Sequence, residues 1–205
     1  MVWLVLFVAT YKIGEEMVDP MLRVFLIDAG YKKEQLSLWI GSYGMLASLL
    51  GSLLGGWLAA RVPLLSAVAI ASGLRAFSML GQWYLTALGH PGPQAVILAT
   101  IAEHLCGGAL TTAMFAFMMS RVNKAIGGTH YTLLASIELV GKFPPSVLSG
   151  VLAHHLGYGR LFALGTALSF LFLLLLIPLR RADAAAAAAA AKGSGDALPA
   201  GGAQG

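Results

Sequence analysis

Charged side chains are scarce in this sequence: Asp, Glu, Lys and Arg supply 11% of its 205 residues, against 58% hydrophobic. A water-soluble domain carries about 25% charged residues. So little charge cannot cover a wetted surface, and lipid is the expected solvent. Basic clusters are few as well. The net charge is +4, but the only adjacent basic pairs are Lys32-Lys33 and Arg180-Arg181, so nucleic acid is not an expected partner. Cys106 is the one cysteine, which excludes an intrachain disulfide. His154 and His155 are adjacent rather than helically spaced, so no metal site is expected. G-x-S-x-G, H-E-x-x-H, Walker and C-x-x-C motifs are all missing, and with them any expected enzyme chemistry or cofactor. The arginine repeat of a voltage sensor and the T-V-G-Y-G filter of a potassium channel are absent too.

What is present is apolar runs. A spanning helix takes roughly 20 mostly apolar residues, and six segments qualify: 2–27, 36–60, 64–88, 94–120, 131–154 and 160–179. Short polar or turn-rich joints separate them, so sequential helices should lie antiparallel and in contact. The expected fold is an all-α membrane protein of six transmembrane helices within residues 1–182, multi-pass, with the lipid bilayer as its first partner. The alanine run 184–191 and the Gly/Ala-rich stretch after it make 183–205 an expected disordered tail. Lys and Arg favour the side of the two termini (Arg61, Arg121, Lys124, Arg180, Arg181 and Lys192 against Arg23, Lys32, Lys33 and Arg160), which predicts cytoplasmic termini. Apolar residues begin at Val2, with no charged n-region and no cleavage site, so the chain is expected to start inside a longer protein.

Charges at bilayer depth cost about 2.5–3.5 kcal/mol each on insertion scales and point to function. The first segment carries five, Lys12, Glu15, Glu16, Asp19 and Arg23. At helical pitch all five fall within a sector of roughly 100°. That stripe either faces a water-filled cavity or marks an interfacial segment. Pro20 in the same stretch would free a backbone carbonyl there. The third segment puts Ser72, Arg75, Met79 and Gln82 on one face. The fourth does so with Glu103, Gly107, Leu110, Thr111 and Met114. The fifth has Glu138 and Lys142 at i,i+4, either a self-neutralised structural pair or part of a site. Four helices each offering a polar face predict one central cavity. Its candidate substrate or proton pathway is Lys12, Glu15, Glu16, Asp19, Arg75, Glu103, Glu138 and Lys142. Gly44, Ser48, Ser52 and Gly56, with Gly51 and Gly55, predict close helix packing in the second segment. Pro144-Pro145 predicts a kink or a discontinuous helix. An intramembrane serine protease of the rhomboid type would need Ser72 as nucleophile and His154 or His155 as base, and would leave the buried charges unexplained.

Tyr11-Lys12-Ile13-Gly14-Glu15 resembles the Y-K-x-G-[DE] signature in the seventh helix of the AmpG permease and acetyl-coenzyme A transporter group of the major facilitator superfamily. Thr129-His130-Tyr131-Thr132-Leu133-Leu134-Ala135, then Glu138 to Lys142, is similar to the eleventh helix of a vertebrate branch of that superfamily, and Gly107 to Thr112 to its tenth. The resemblance implies the carboxy-terminal half of a twelve-helix secondary transporter with its site at the midplane. It also implies a small-molecule solute such as the organic anion acetyl-coenzyme A, proton coupling, and a missing amino-terminal six-helix half or a second copy as partner. Lys12 and Arg75 would then meet anionic groups, and Glu15, Glu16, Glu103 and Glu138 would carry protons. Tyr11, Gly14, Thr129, His130 and Tyr131 are the motif positions. One departure is Ala60, which stands where the superfamily's G-x-x-x-D-R loop has Asp.

Overall fold

With no water at bilayer depth to take up backbone N–H and C=O groups, an apolar run satisfies them only within itself, as a helix. The computed structural model describes residues 2–122, 127–181 and 184, and among them every regular element is helical. In chain order these are α1 (Val2–Thr10), α2 (Ile13–Asp28), α3 (Lys33–Leu36), a π-helical turn (Ser37–Tyr43), α4 (Gly44–Arg61), α5 (Leu64–Ala87), α6 (Pro93–Ser120), α7 (Gly127–Leu156) and α8 (Tyr158–Leu173). Four helical stretches among the described residues are long and apolar enough to cross a membrane: Lys33–Arg61, Leu64–Ala87, Pro93–Ser120 and Tyr158–Arg181. They match four of the six expected spans.

The other two differ. The first is divided by a turn at Tyr11-Lys12 into helices of 9 and 16 residues, the second of which carries Glu15, Glu16, Asp19 and Arg23. The fifth is a 30-residue helix, long enough to cross but diluted by His130, Glu138, Lys142, His154 and His155. It runs unbroken through Pro144 and Pro145, as α2 does through Pro20, so the discontinuity lies at Tyr11-Lys12 and not at a proline. The expected tail 183–205 lies outside the described residues apart from Ala184, as do Lys124 and Lys192.

The glycine seam forms as expected. An added Cβ at Gly51 would meet the carbonyl oxygen of Leu105, one at Gly55 that of Ala109, and one at Gly108 that of Ser48. The backbones of α4 and α6 therefore touch, which only residues without side chains allow. On its other face α4 presents Leu46, Leu49, Leu50, Leu53, Leu54 and Trp57, each more than half exposed. A water-soluble monomer rarely tolerates such a patch, but lipid does. At the tight α7–α8 joint, Gly157 adopts φ 78°, a left-handed conformation that favours glycine.

The interior has three layers. One apolar cluster gathers Phe7, Val68, Met114, Phe117 and Leu176. A second gathers Val18, Leu26, Met79, Val96 and Phe162. Along each contributing helix, the residues between these clusters are the polar ones: Lys12 to Glu16 on α1–α2, Ser72 and Arg75 on α5, Thr100 and Glu103 on α6, Thr166 and Ser169 on α8. Arg75 stands at the centre of the 24-residue α5, a helix about 36 Å long. The polar layer thus lies at mid-height.

Candidate functional site

The layer is organised around one guanidinium. Arg75 is 2% exposed. Its Nη1 lies 2.6 Å from Glu103 Oε1, its Nε 3.2 Å from Glu15 Oε2 and its Nη2 3.3 Å from Asp19 Oδ2. Nη1 also donates to the Glu103 carbonyl oxygen at 3.0 Å. Arginine suits this place because its planar fork offers several donors in fixed directions and holds its charge when buried. Gly107, one turn past Glu103, leaves space: its added Cβ would sit 3.7 Å from the Arg75 Cζ. Lys12, in the turn between α1 and α2, reaches Glu15 Oε1 at 3.9 Å and donates to Thr111 Oγ1 at 3.2 Å. Two cations therefore face three carboxylates.

A second cluster adjoins it. Tyr11 donates through its hydroxyl to Glu138 Oε1 at 2.7 Å, and Lys142 Nζ lies 2.7 Å from the same oxygen. The contact is possible because α1 and α7 meet at Gly141, where an added Cβ would strike the Ala9 carbonyl oxygen. The turn at Tyr11-Lys12 thus sends consecutive side chains in two directions, Tyr11 to α7 and Lys12 to α6.

Of the expected pathway residues, Lys12, Glu15, Asp19, Arg75 and Glu103 come together in one cluster, and Glu138 and Lys142 pair beside it. Glu16 faces elsewhere. With Lys142, Phe143 and Ser146 it lines an open groove of about 630 Å3 between α2 and α7. Of the motif positions, Tyr11 is in the site. Gly14 is where α2 meets α8, its added Cβ striking the Gly165 carbonyl oxygen and Ser169 Oγ. Thr129, His130 and Tyr131 open α7, about 12 Å along the helix from Glu138. Tyr131 there lines a separate cavity of about 300 Å3 with Met119 and Val122.

Three polar residues escaped the sequence argument as site members. His104 contacts Glu103 Oε2 through Nδ1 and lies 3.1 Å from the Thr100 carbonyl oxygen. Gln82, noted only as part of a face, is fully buried, and neither its Nε2 nor its Oε1 has a hydrogen-bond partner among the described residues. Thr111 receives the Lys12 ammonium. Adjacency to Glu103 was the only available signal for His104, and one residue is about 100° round a helix, which put it off the marked face. Ser72 Oγ also lacks a partner among the described residues and lines a cavity of about 20 Å3 with Tyr11, Glu15 and Arg75, room for about one water. The rings of His154 and His155 pack against each other, and no described contact joins either to Ser72.

No protein-family model matches the chain. It is 31% identical over 170 residues to the anhydromuropeptide permease of Escherichia coli (strain K12), an alignment covering 81% of this chain and 34% of that protein. The protein of Rickettsia prowazekii (strain Madrid E) that carries the name AmpG 3 is 27% identical over 169 residues, covering 82% of this chain and 40% of its own length. The AmpG 4 of Rickettsia conorii (strain ATCC VR-613 / Malish 7) is 28% identical over 178 residues, 83% of this chain and 42% of that one. The chain thus spans between a third and about two fifths of the length of the curated relatives it matches. Together with the four apolar helices, this similarity makes the chain a multi-pass membrane protein.

Proposed function

We propose that the chain forms six membrane-spanning helices over residues 1–182 and serves as the carboxy-terminal half of a major-facilitator-type secondary transporter. Segments 2–27 and 131–154 are the two spans added to the four that qualify by length and apolarity. The observation that carries the reading is the charged layer at mid-height, built from α2, α5 and α6 and continued onto α7 by Tyr11. A membrane anchor has no use for charges so costly to bury, whereas a carrier needs a polar midplane beside an interrupted helix. The similarity to named permeases supports the same reading.

The solute on this reading is an organic anion. Acetyl-coenzyme A follows from the sequence resemblance, and the name of the Escherichia coli relative adds anhydromuropeptides. Arg75 is already enclosed by three carboxylates, so its task is to hold α2, α5 and α6 together. Lys142, one quarter exposed on the open groove, is the better placed cation for an anionic group. That groove falls in the size range of small-molecule sites. The opposite wall of the path belongs to an amino-terminal six-helix half or a second copy. A proton carried within the polar layer would couple the cycle.

The test is uptake of labelled acetyl-coenzyme A or anhydromuropeptide into proteoliposomes holding this chain, alone and with a matching amino-terminal half. Flux above that of empty vesicles, lost in Lys12→Ala and Glu138→Gln, is the expected result. Flux equal to empty vesicles in both preparations overturns the reading.

A further inference from the structure

Between α2, α5 and α6 lies a cavity of about 140 Å3, among whose lining residues are Asp19, Arg23, Gln82, Glu103 and His104. One water needs roughly 10–15 Å3, so a polar space of this size holds several. Gln82 supplies the reason for them to be there. Its carboxamide is completely buried with neither polar atom paired among the described residues, and it borders the cavity. A buried amide keeps its hydrogen-bonding demand, and water is the partner within reach.

His104 opens on the same cavity. Its Nδ1 faces two acceptors, Glu103 Oε2 and the Thr100 carbonyl oxygen, so Nδ1 carries hydrogen in either charge state. Nε2 is then the nitrogen that gains or loses a proton. The ring lies against Gly44 of α4, where an added Cβ would come within 2.7 Å of Nε2. Glycine there makes room for the ring to pack against α4.

Charges of both signs surround the ring. Facing His104 are Glu103 on its own helix, Asp19 and Arg23 from α2, and Arg75 from α5. Ile40 and Gly44 on the α4 side are uncharged. Glu138 and Lys142 on α7 are paired with each other. Around the cavity and the layer beside it, Lys12, Arg23 and Arg75 stand with Glu15, Asp19 and Glu103.

We propose that His104 is the group that loads and releases a proton during the transport cycle. Glu103 is its fixed counter-charge, and Gln82 anchors the water that links it to Asp19. The step is one proton passing from cavity water to Nε2 and back, with no other bond changed. The proposal rests on the proton-coupled reading above and assigns its proton to a residue outside the expected carboxylate set.

The experiment is histidine-labelled NMR of the full 205-residue chain in lipid nanodiscs, titrated without solute. His104→Gln identifies the signal. If that variant does not fold, replacing His90, His130, His154 and His155 in turn identifies it by elimination. The expected result is a ring with Nδ1 protonated throughout and Nε2 that changes protonation state in the course of the titration. In Glu103→Gln, which deprives the imidazolium of its counter-charge, that transition moves down by about one pH unit or more. A His104 that keeps one charge state throughout the titration, or a transition unmoved by Glu103→Gln, overturns the proposal. Because the titration needs no flux, a chain that titrates as expected but does not transport counts against the transporter reading alone. Transport whose pH profile is unchanged in His104→Gln counts against this proposal alone.

Discussion

Replacing Arg75 by Met tests whether the charged layer is a structural joint. The substitution keeps much of the side-chain volume and removes the cation from among Glu15, Asp19 and Glu103. The three contacts are unequal. Glu103 is the tightest, at 2.6 Å with side chains 3% and 6% exposed, so its loss is felt almost in full. Glu15 is 14% exposed, and Asp19, at 37%, is screened by its surroundings. Breaking a well-buried pair by removing one partner costs about 3–5 kcal/mol, because the remaining charge is stranded. The expected loss is therefore about 3–5 kcal/mol and not three times that, since the carboxylates also repelled one another in the native protein. The assay is SDS-induced unfolding in mixed micelles, followed by the fluorescence of the four tryptophans. Glu103→Gln placed on top of Arg75→Met should return about 2 kcal/mol, since it removes the stranded charge. Arg75→Lys should fall between, as a point charge satisfies one carboxylate where the fork satisfied three. An Arg75→Met protein within about 0.5 kcal/mol of wild type, or additive losses in the double variant, would refute the reasoning.

The same unfolding assay checks the other parts. Gly51→Val puts a branched side chain against the Leu105 carbonyl and should cost about 1–3 kcal/mol by forcing α4 off α6. Gly150→Ala, on the exposed side of α7 with nothing within 4 Å of the new methyl, should be neutral or stabilising by up to about 1 kcal/mol. Tyr11→Phe should lose about 1 kcal/mol with the hydrogen bond to Glu138. Glu138→Gln and Lys142→Met should each cost more alone than together, because either single change strands the other charge.

The sequence made four spans legible to within a few residues, because an apolar run of 20 or more has few other readings. It also revealed the buried faces of α5 and α6, since Arg75 and Glu103 stand out against apolar neighbours at helical spacing. What it hid was pairing. Arg75 meets Glu15 across 60 residues and Asp19 across 56, and no local pattern encodes a partner that distant. The interruption at Tyr11-Lys12 was hidden for a different reason. Neither residue breaks helices, whereas Pro20, Pro144 and Pro145 do and yet sit inside continuous ones. A proline removes one backbone donor, and whether the helix opens depends on what packs nearby. Here the contact that fits the break is between Gly141 and Ala9, on helices far apart in the chain.

The ion cluster also bears on the order in which the protein can be made. The first segment leaves the ribosome carrying Lys12, Glu15, Glu16, Asp19 and Arg23, an unfavourable load for a helix entering lipid alone. Its neutralising partner, Arg75, is synthesised 60 residues after Glu15, and Glu103 arrives later still. At about 5–20 residues per second, that is a delay of some seconds. On the six-span reading proposed above, the first segment would wait during it at the translocon or in the interface, its stable insertion completed by a helix not yet made when it emerged.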